Sequence, residues 1–307
     1  MKLGWLNTLA FFGALACSLA VVGLADKPRA EEHGADARVV RDATGHEVAV
    51  RRYARIVSAS TIADQVLAEI LEPERIAAIS EYGRSASSTP WRFASTPTIA
   101  RVEDVEAILA LRPDLVFVSN VGDPRAVTRL RESGARVFDL GAMHGLSTLL
   151  EDVRQIGVVV GEPARAERLA STYERRMRRV SAGLGERARG MYLGPYGTVL
   201  YGGARDTSYA DVLDAAGVDD VATEAGYVGW PAYSPEEVLA LAPEWVVTPA
   251  SQKESLCAHP ALGTLSACRE GRVVGIDDDL LGDPGLSMLD AAEAVFAAVH
   301  GDGPNAE

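Results

Sequence analysis

Glu106–Val116 reads EAILALRPDLV, and Glu236–Val246 reads EEVLALAPEWV. In each stretch apolar residues recur at helical spacing, a proline stops the helix, an acidic residue follows, and a β-rich apolar run begins. A repeated helix-to-strand unit predicts two lobes built alike. Between the copies Pro163 opens a charged segment, Ala164–Gly183 (ARAERLASTYERRMRRVSAG), with a thin apolar stripe through Leu169, Tyr173, Met177 and Val180. Proline at the first turn starts a helix, and a helix this polar reads as a strut between lobes.

Strand and helix patterns alternate outward from this frame. Arg38–Asp42 and His46–Val50 flank Ala43-Thr44-Gly45 and predict a hairpin. Strand-like runs at Arg55–Ser58, Ile76–Ser80, Leu115–Ser119 and Arg136–Leu140 alternate with helical spacing at Thr61–Leu71, Val102–Leu111, Arg125–Glu132 and Leu146–Val160. Beyond the strut come strands at Met191–Leu193, Val199–Tyr201, Trp245–Thr248 and Arg272–Ile276. Helices are expected at Tyr209–Ala216, Glu236–Leu241 and Leu289–Val299. The expected fold is α/β: two similar lobes, each around a mostly parallel central sheet, joined by one long rigid helix. The corresponding parts are an apolar segment at 1–25, a flexible polar leader at 26–37, a first lobe at 38–162, a linking helix at 163–188 and a second lobe at 189–302.

The N-terminus carries Lys2, an apolar run from Leu9 to Ala25, and Gly23-Leu24-Ala25 before Asp26. That is the pattern of a secretory signal, although the run is also close to membrane-spanning length and would serve as an anchor. Cys17, after Ala14-Leu15-Ala16, weakly resembles a lipoprotein cleavage box. Either way the body is expected outside the cytoplasm, where Cys257 and Cys268 form a disulfide or remain two buried thiols. Their spacing is not that of a zinc site.

A formal net charge of −13 argues against a nucleic-acid partner, which would need a basic footprint. Enzyme signatures are missing. No G-x-S-x-G elbow, phosphate-binding lysine loop or G-x-G-x-x-G fingerprint is present. The histidines, His33, His46, His144, His259 and His300, are scattered, so no metal site is expected. What remains are loops at the carboxyl ends of strands, the place where open α/β sheets bind ligands. They are rich in Tyr and Trp, which give broad, stiff contact area with a polar tip. Ser60, Thr61, Tyr82, Trp91 and Asn120 on the first lobe, and Tyr196, Tyr201, Trp230 and Tyr233 on the second, are the candidate ligand-binding residues.

Across Arg38 to His300 the chain resembles the binding proteins that serve importers of siderophores, haem and cobalamin. The stretches ARIVSAS, DQVLAEILEPERIAAIS, VEDVEAILALRPDLVFVS, DVLDAAGVDD, GWPAYSPEEVLALAPEWVVT and HPALGTLSACREGRVVGID carry the resemblance. It implies a non-enzymatic, monomeric protein without a cofactor of its own. Its ligand would be a metal chelate: a corrinoid, a ferric siderophore or haem. Its partners would be an inner-membrane permease and its ATPase. Tyr82 and Trp230 take the places of cleft aromatics, and Tyr82 or Tyr201 would suit haem iron. Glu236 takes the place of a transporter-docking glutamate. On the first lobe the corresponding position is Pro124, leaving Asp123 beside it and Glu106, the repeat counterpart of Glu236, as the docking candidates. Gly285-Leu286 stands where many members carry Pro-Arg. A sensor or adhesion module on the same fold, without transport, is the competing expectation.

Overall fold

Two large sheets and a two-stranded hairpin organise the described residues. The computed structural model describes residues 38–85, 93–119, 124–197, 199–282 and 285–301. The segments at 1–25 and 26–37, with Cys17, and the site candidates Trp91, Asn120 and Asp123 lie outside the described residues. From Val39 onward the chain forms one unit. It opens with the expected hairpin, β1 (Val39–Arg41) against β2 (Glu47–Ala49). Asp42 at the turn ties the hairpin down by accepting from Arg131 Nη2 (2.7 Å).

The first lobe follows as β3 (Ile56–Ala59), α1 (Thr61–Ile70), β4 (Ile76–Ser80), α2 (Glu81–Ser85), β5 (Thr98–Ile99), α3 (Val105–Ala110), β6 (Leu115–Val118), α4 (Pro124–Glu132), β7 (Val137–Asp139) and α5 (Leu146–Val159). Its sheet runs β5-β4-β3-β6-β7, parallel throughout. Parallel strands covered by helices on both faces read as continuous apolar runs, and Leu115-Val116-Phe117-Val118 is fully buried.

The linking helix is α6 (Pro163–Arg179). It is a strut with one buried side: Ala166, Ala170, Tyr173 and Met177 pack inward while its arginines stay at the surface. It lies close against α5 because position 157 is glycine. A Cβ there would come within 2.1 Å of the Ala166 Cβ.

The second lobe comprises β8 (Ala188–Tyr196), β9 (Val199–Gly203), α7 (Ser208–Ala215), β10 (Val218–Asp220), α8 (Val221–Glu224), β11 (Ala232–Tyr233), α9 (Pro235–Leu241), β12 (Trp245–Pro249), α10 (Lys253–Ala258), α11 (Ser266–Arg269), β13 (Val273–Ile276), α12 (Asp278–Gly282) and α13 (Met288–His300). Its sheet runs β11-β9-β8-β12-β13, with β10 also on β8. Strands β8, β10, β12 and β13 are parallel, whereas β9 and β11 are antiparallel. The two repeat copies occupy equivalent places, β6 between β3 and β7, and β12 between β8 and β13. Cys257 and Cys268 are bonded, with Cα atoms 5.5 Å apart, and join α10 to α11.

Candidate functional site

The lobes meet at the carboxyl ends of their strands. Beyond β7, the Leu146 N–H at the start of α5 donates to the Asp211 carboxylate of α7. Gly145 permits this approach, since a Cβ there would sit 2.1 Å from Asp211 Oδ2 and the residue has φ +94°. Beyond β3, Gln65 of α1 donates from Nε2 to Ser287 Oγ (3.1 Å), and its Oε1 accepts from the Leu286 N–H beyond β13. The Tyr173 hydroxyl reaches the Gly285 carbonyl at 3.5 Å. Both polar bridges therefore follow strand ends, which places the ligand-binding edges of the two sheets toward each other.

On the second lobe this edge carries an aromatic wall. In the β8–β9 hairpin Tyr192 pairs with Gly203 and Gly194 with Tyr201, so period-2 alternation puts all four positions on one face. Ala232 of β11 pairs with Tyr201 and shares that face, as does Trp230 two residues earlier. Tyr201 is 41% exposed and Trp230 53%. Tyr192 and Tyr209 stack beneath them, with ring centroids 3.7 Å apart and planes 4° from parallel. Burial raises both phenols above their ordinary range. They stay neutral, so the wall is backed by an uncharged pair rather than by an anionic metal ligand.

Other candidates fall in different places. Tyr196 ends β8 and is largely exposed, beside the wall at the hairpin's end. Tyr233 is a correction: it pairs with Leu200, points to the opposite face, and is buried at 5% exposure in the core with Met191, Leu193 and Val246. Among the described residues its hydroxyl has no hydrogen-bond partner. Ser60 is also buried. Its hydroxyl caps α1 by accepting from the Ala63 N–H (3.4 Å), so it serves the helix rather than a ligand. Thr61 is half-buried in the first turn of α1.

Tyr82 stands at the end of β4, in the short helix α2, and is 42% exposed. A buried carboxylate fixes its setting. Asp64 accepts from the Ser80 N–H and hydroxyl, and Ser80 Oγ in turn accepts from the Gly83 N–H (2.8 Å). Glu106 and Glu236 occupy the first turns of α3 and α9, both exposed. Each helix runs back toward the start of the strand it feeds. Its first turn, and hence each glutamate, lies toward the carboxyl edge of its sheet.

A groove of about 620 Å³ lies beside the Asp211 bridge, lined among others by His144, Ser147, Arg205, Asp206, Asp214 and Glu224. None of Tyr82, Tyr201 or Trp230 lines it. Carboxylates outnumber its cations, and Arg187 is already held by Asp214 (2.8 Å) and Asp219 (2.6 Å). The aromatic wall is the better candidate seat for a small molecule, because it offers apolar area without that negative charge.

Two wall residues, Tyr192 and Tyr209, were not among the sequence candidates. The signal that could have found them is the spacing of aromatics and glycines, Tyr192-x-Gly194-x-Tyr196 and Tyr201-Gly202-Gly203. Glycine beside a strand aromatic leaves room for the ring to lie flat.

Residues 56–280 match the periplasmic binding protein family. The chain belongs to that family. Its relatives are binding proteins rather than enzymes, and the family works outside the cytoplasm. Among curated relatives, a cobalamin-binding protein of Halobacterium salinarum is 24% identical over 258 residues, covering 80% of this chain and 69% of that protein. Among solved structures, a periplasmic haem-binding protein from Pseudomonas aeruginosa is 25% identical with a TM-score of 0.69, over 83% of this chain and 94% of that one. A periplasmic haem-binding protein from Roseiflexus sp. RS-1 gives a TM-score of 0.68 at 24% identity, over 80% of this chain and 99% of that one. These likenesses bear out the two-lobed α/β fold of this periplasmic binding protein. The residues that would touch a ligand stand on the geometry above.

Proposed function

We propose that this chain is the exported binding protein of an importer and that its ligand is a planar metal-bearing tetrapyrrole, corrinoid or haem, held between the lobes. The lobes at 38–162 and 189–302, joined by the 163–188 linker, would form the receptacle, and the apolar segment at 1–25 would direct export or anchorage. One observation carries the choice of ligand class. The second lobe presents Trp230 and Tyr201 on one face, over a neutral stacked pair of tyrosines. Flat aromatic faces suit a flat ligand. The named relatives that bind cobalamin or haem agree with this class.

A carboxylate-rich ferric siderophore is less well served. Where the resemblance places an arginine, this chain has Gly285-Leu286, and its backbone is engaged by Tyr173 and Gln65. Tyr82, exposed on the first lobe, is the candidate axial ligand if the ligand is haem.

Titrating the purified chain with hemin and with cyanocobalamin tests the reading. A Soret shift on hemin addition marks haem ligation, and calorimetric binding of cyanocobalamin marks the corrinoid. Micromolar or tighter binding of one is expected, and binding of neither refutes the proposal. Trp230→Ala is expected to weaken that binding by about 1–3 kcal/mol, as truncation of an aromatic anchor does.

Delivery would use the exposed glutamates at the lobe edges, Glu236 and Glu106, against basic residues on the permease. Glu236→Arg is expected to leave ligand affinity unchanged and to lower uptake by cells carrying the importer. Normal uptake by that variant would remove Glu236 from the docking surface.

A further inference from the structure

Tyr209 opens a helix, yet its ring lies among those of the wall. It stacks on Tyr192 and meets Trp230 edge to face, with centroids 5.0 Å apart and planes 88° from parallel. Two glycines make the arrangement possible. A Cβ on Gly203 would come within 2.6 Å of Tyr209 Cδ2, and one on Gly194 within 2.6 Å of the Tyr192 hydroxyl. Both rings thus rest against the backbone of the β8–β9 hairpin at its glycines. Trp230 is placed very differently. It sits between Gly229 (φ +69°) and Pro231 in a loop, more than half exposed. An exposed indole on a loop would sample several rotamers and lose that freedom on binding a ligand.

We propose that Tyr209 is a positioning residue that braces Trp230 in its ligand-ready orientation and transmits to it the rigidity of the hairpin. The inference rests on the wall being the ligand's seat, but the bracing itself is a property of the free protein. An edge-to-face aromatic contact of this kind corresponds to about a three- to tenfold effect on an equilibrium.

The test has a ligand-free arm and a ligand arm. In the free protein, acrylamide quenching of the Trp230 fluorescence is isolated by difference against Trp230→Phe. Tyr209→Leu, which keeps apolar volume at the site, is expected to raise that quenching. Tyr209→Phe, which keeps the ring, is expected to leave it unchanged. Quenching unaltered by Tyr209→Leu overturns the bracing role whether or not a ligand has been found, and a normal melting curve for the leucine variant excludes misfolding as the cause of any change.

With hemin or cyanocobalamin, Tyr209→Leu is expected to weaken binding about three- to tenfold and Tyr209→Phe less than twofold. In a Trp230→Ala background Tyr209→Leu is expected to add nothing, because its effect runs through the indole. An additive loss in the double variant would make Tyr209 a direct ligand contact and overturn the positioning role. Failure of the wild-type chain to bind either probe would fall on the proposed ligand class and leave the fluorescence result to decide the bracing.

Discussion

Asp152 on α5 holds its proton at a pH where a solvated aspartate has lost it. Burial pushes its carboxyl up to about 7, and the neighbouring Glu151 adds to the shift. The native state therefore binds more protons than the unfolded chain between about pH 4 and pH 7, and stability falls as pH rises through that window. Asp152→Asn is permanently neutral and nearly isosteric. It is expected to raise the melting temperature above pH 7, on the order of a few kcal/mol of stability, with the gain shrinking toward pH 4. Equal gains at pH 4 and pH 8 would show that charge is not the cause. The sequence shows an aspartate in a helix and no more, because its burial depends on which helix face meets the sheet. The same limit governs the site residues. The Gly-Trp-Pro context marked Trp230 as a candidate and the end of β4 marked Tyr82, whereas Tyr201, expected at a strand end, lies within antiparallel β9. Tyr233 was misplaced because strand pairing, invisible locally, decides that it follows Leu200 to the core face while Tyr201 stays on the wall.

At the scale of elements, the repeated unit was readable as helix, proline and strand, and in the structure its two copies agree down to the backbone. Arg112 and Ala242 occupy the same position in the two copies, just before the proline, and both adopt φ +47°. The Asp114 and Glu244 amides then donate to the Arg55 and Arg189 carbonyls, again as a pair. A left-handed residue without glycine's freedom costs about 1–2 kcal/mol, which exceeds the extra chain entropy of glycine, about 0.5–1 kcal/mol. Ala242→Gly is therefore expected to stabilise the fold by about 0.5–1 kcal/mol in chemical denaturation, and a loss of stability would contradict the strain. The sequence did not disclose that β8 and β9 form an antiparallel hairpin, although both strands were marked. A parallel crossover needs a long connection, and the few residues between Leu193 and Val199 already pointed the other way. That hairpin creates the aromatic wall, which explains why Tyr192 and Tyr209 escaped notice while the βα framework did not.

Across the whole molecule the two lobes are not independent bodies on a tether. One apolar cluster runs from Phe117 and Leu149 in the first lobe through Ala170 and Met177 of α6 to Val212 and Phe296 in the second. Bending the lobes apart would expose part of this core, so cleft opening is resisted by apolar burial as well as by the stiffness of α6. The polar bridges set the remaining play at the cleft itself. The Leu146 N–H lies in the first turn of α5, where no intrahelical acceptor exists, and Asp211 supplies one from the other lobe. The Leu286 N–H depends in the same way on Gln65. Combining Gln65→Ala with Asp211→Ala should leave the sheets intact and release these bridges. Hydrogen exchange is then expected to quicken at least tenfold at Leu146 and Leu286, with the β6 and β12 amides unchanged, because the first two are protected by cross-lobe acceptors and the others by their ladders. Unchanged exchange at both amides would mean that the buried cluster alone holds the lobes. Faster exchange in β6 and β12 would mean that the bridges stabilise the whole fold rather than the angle between its halves.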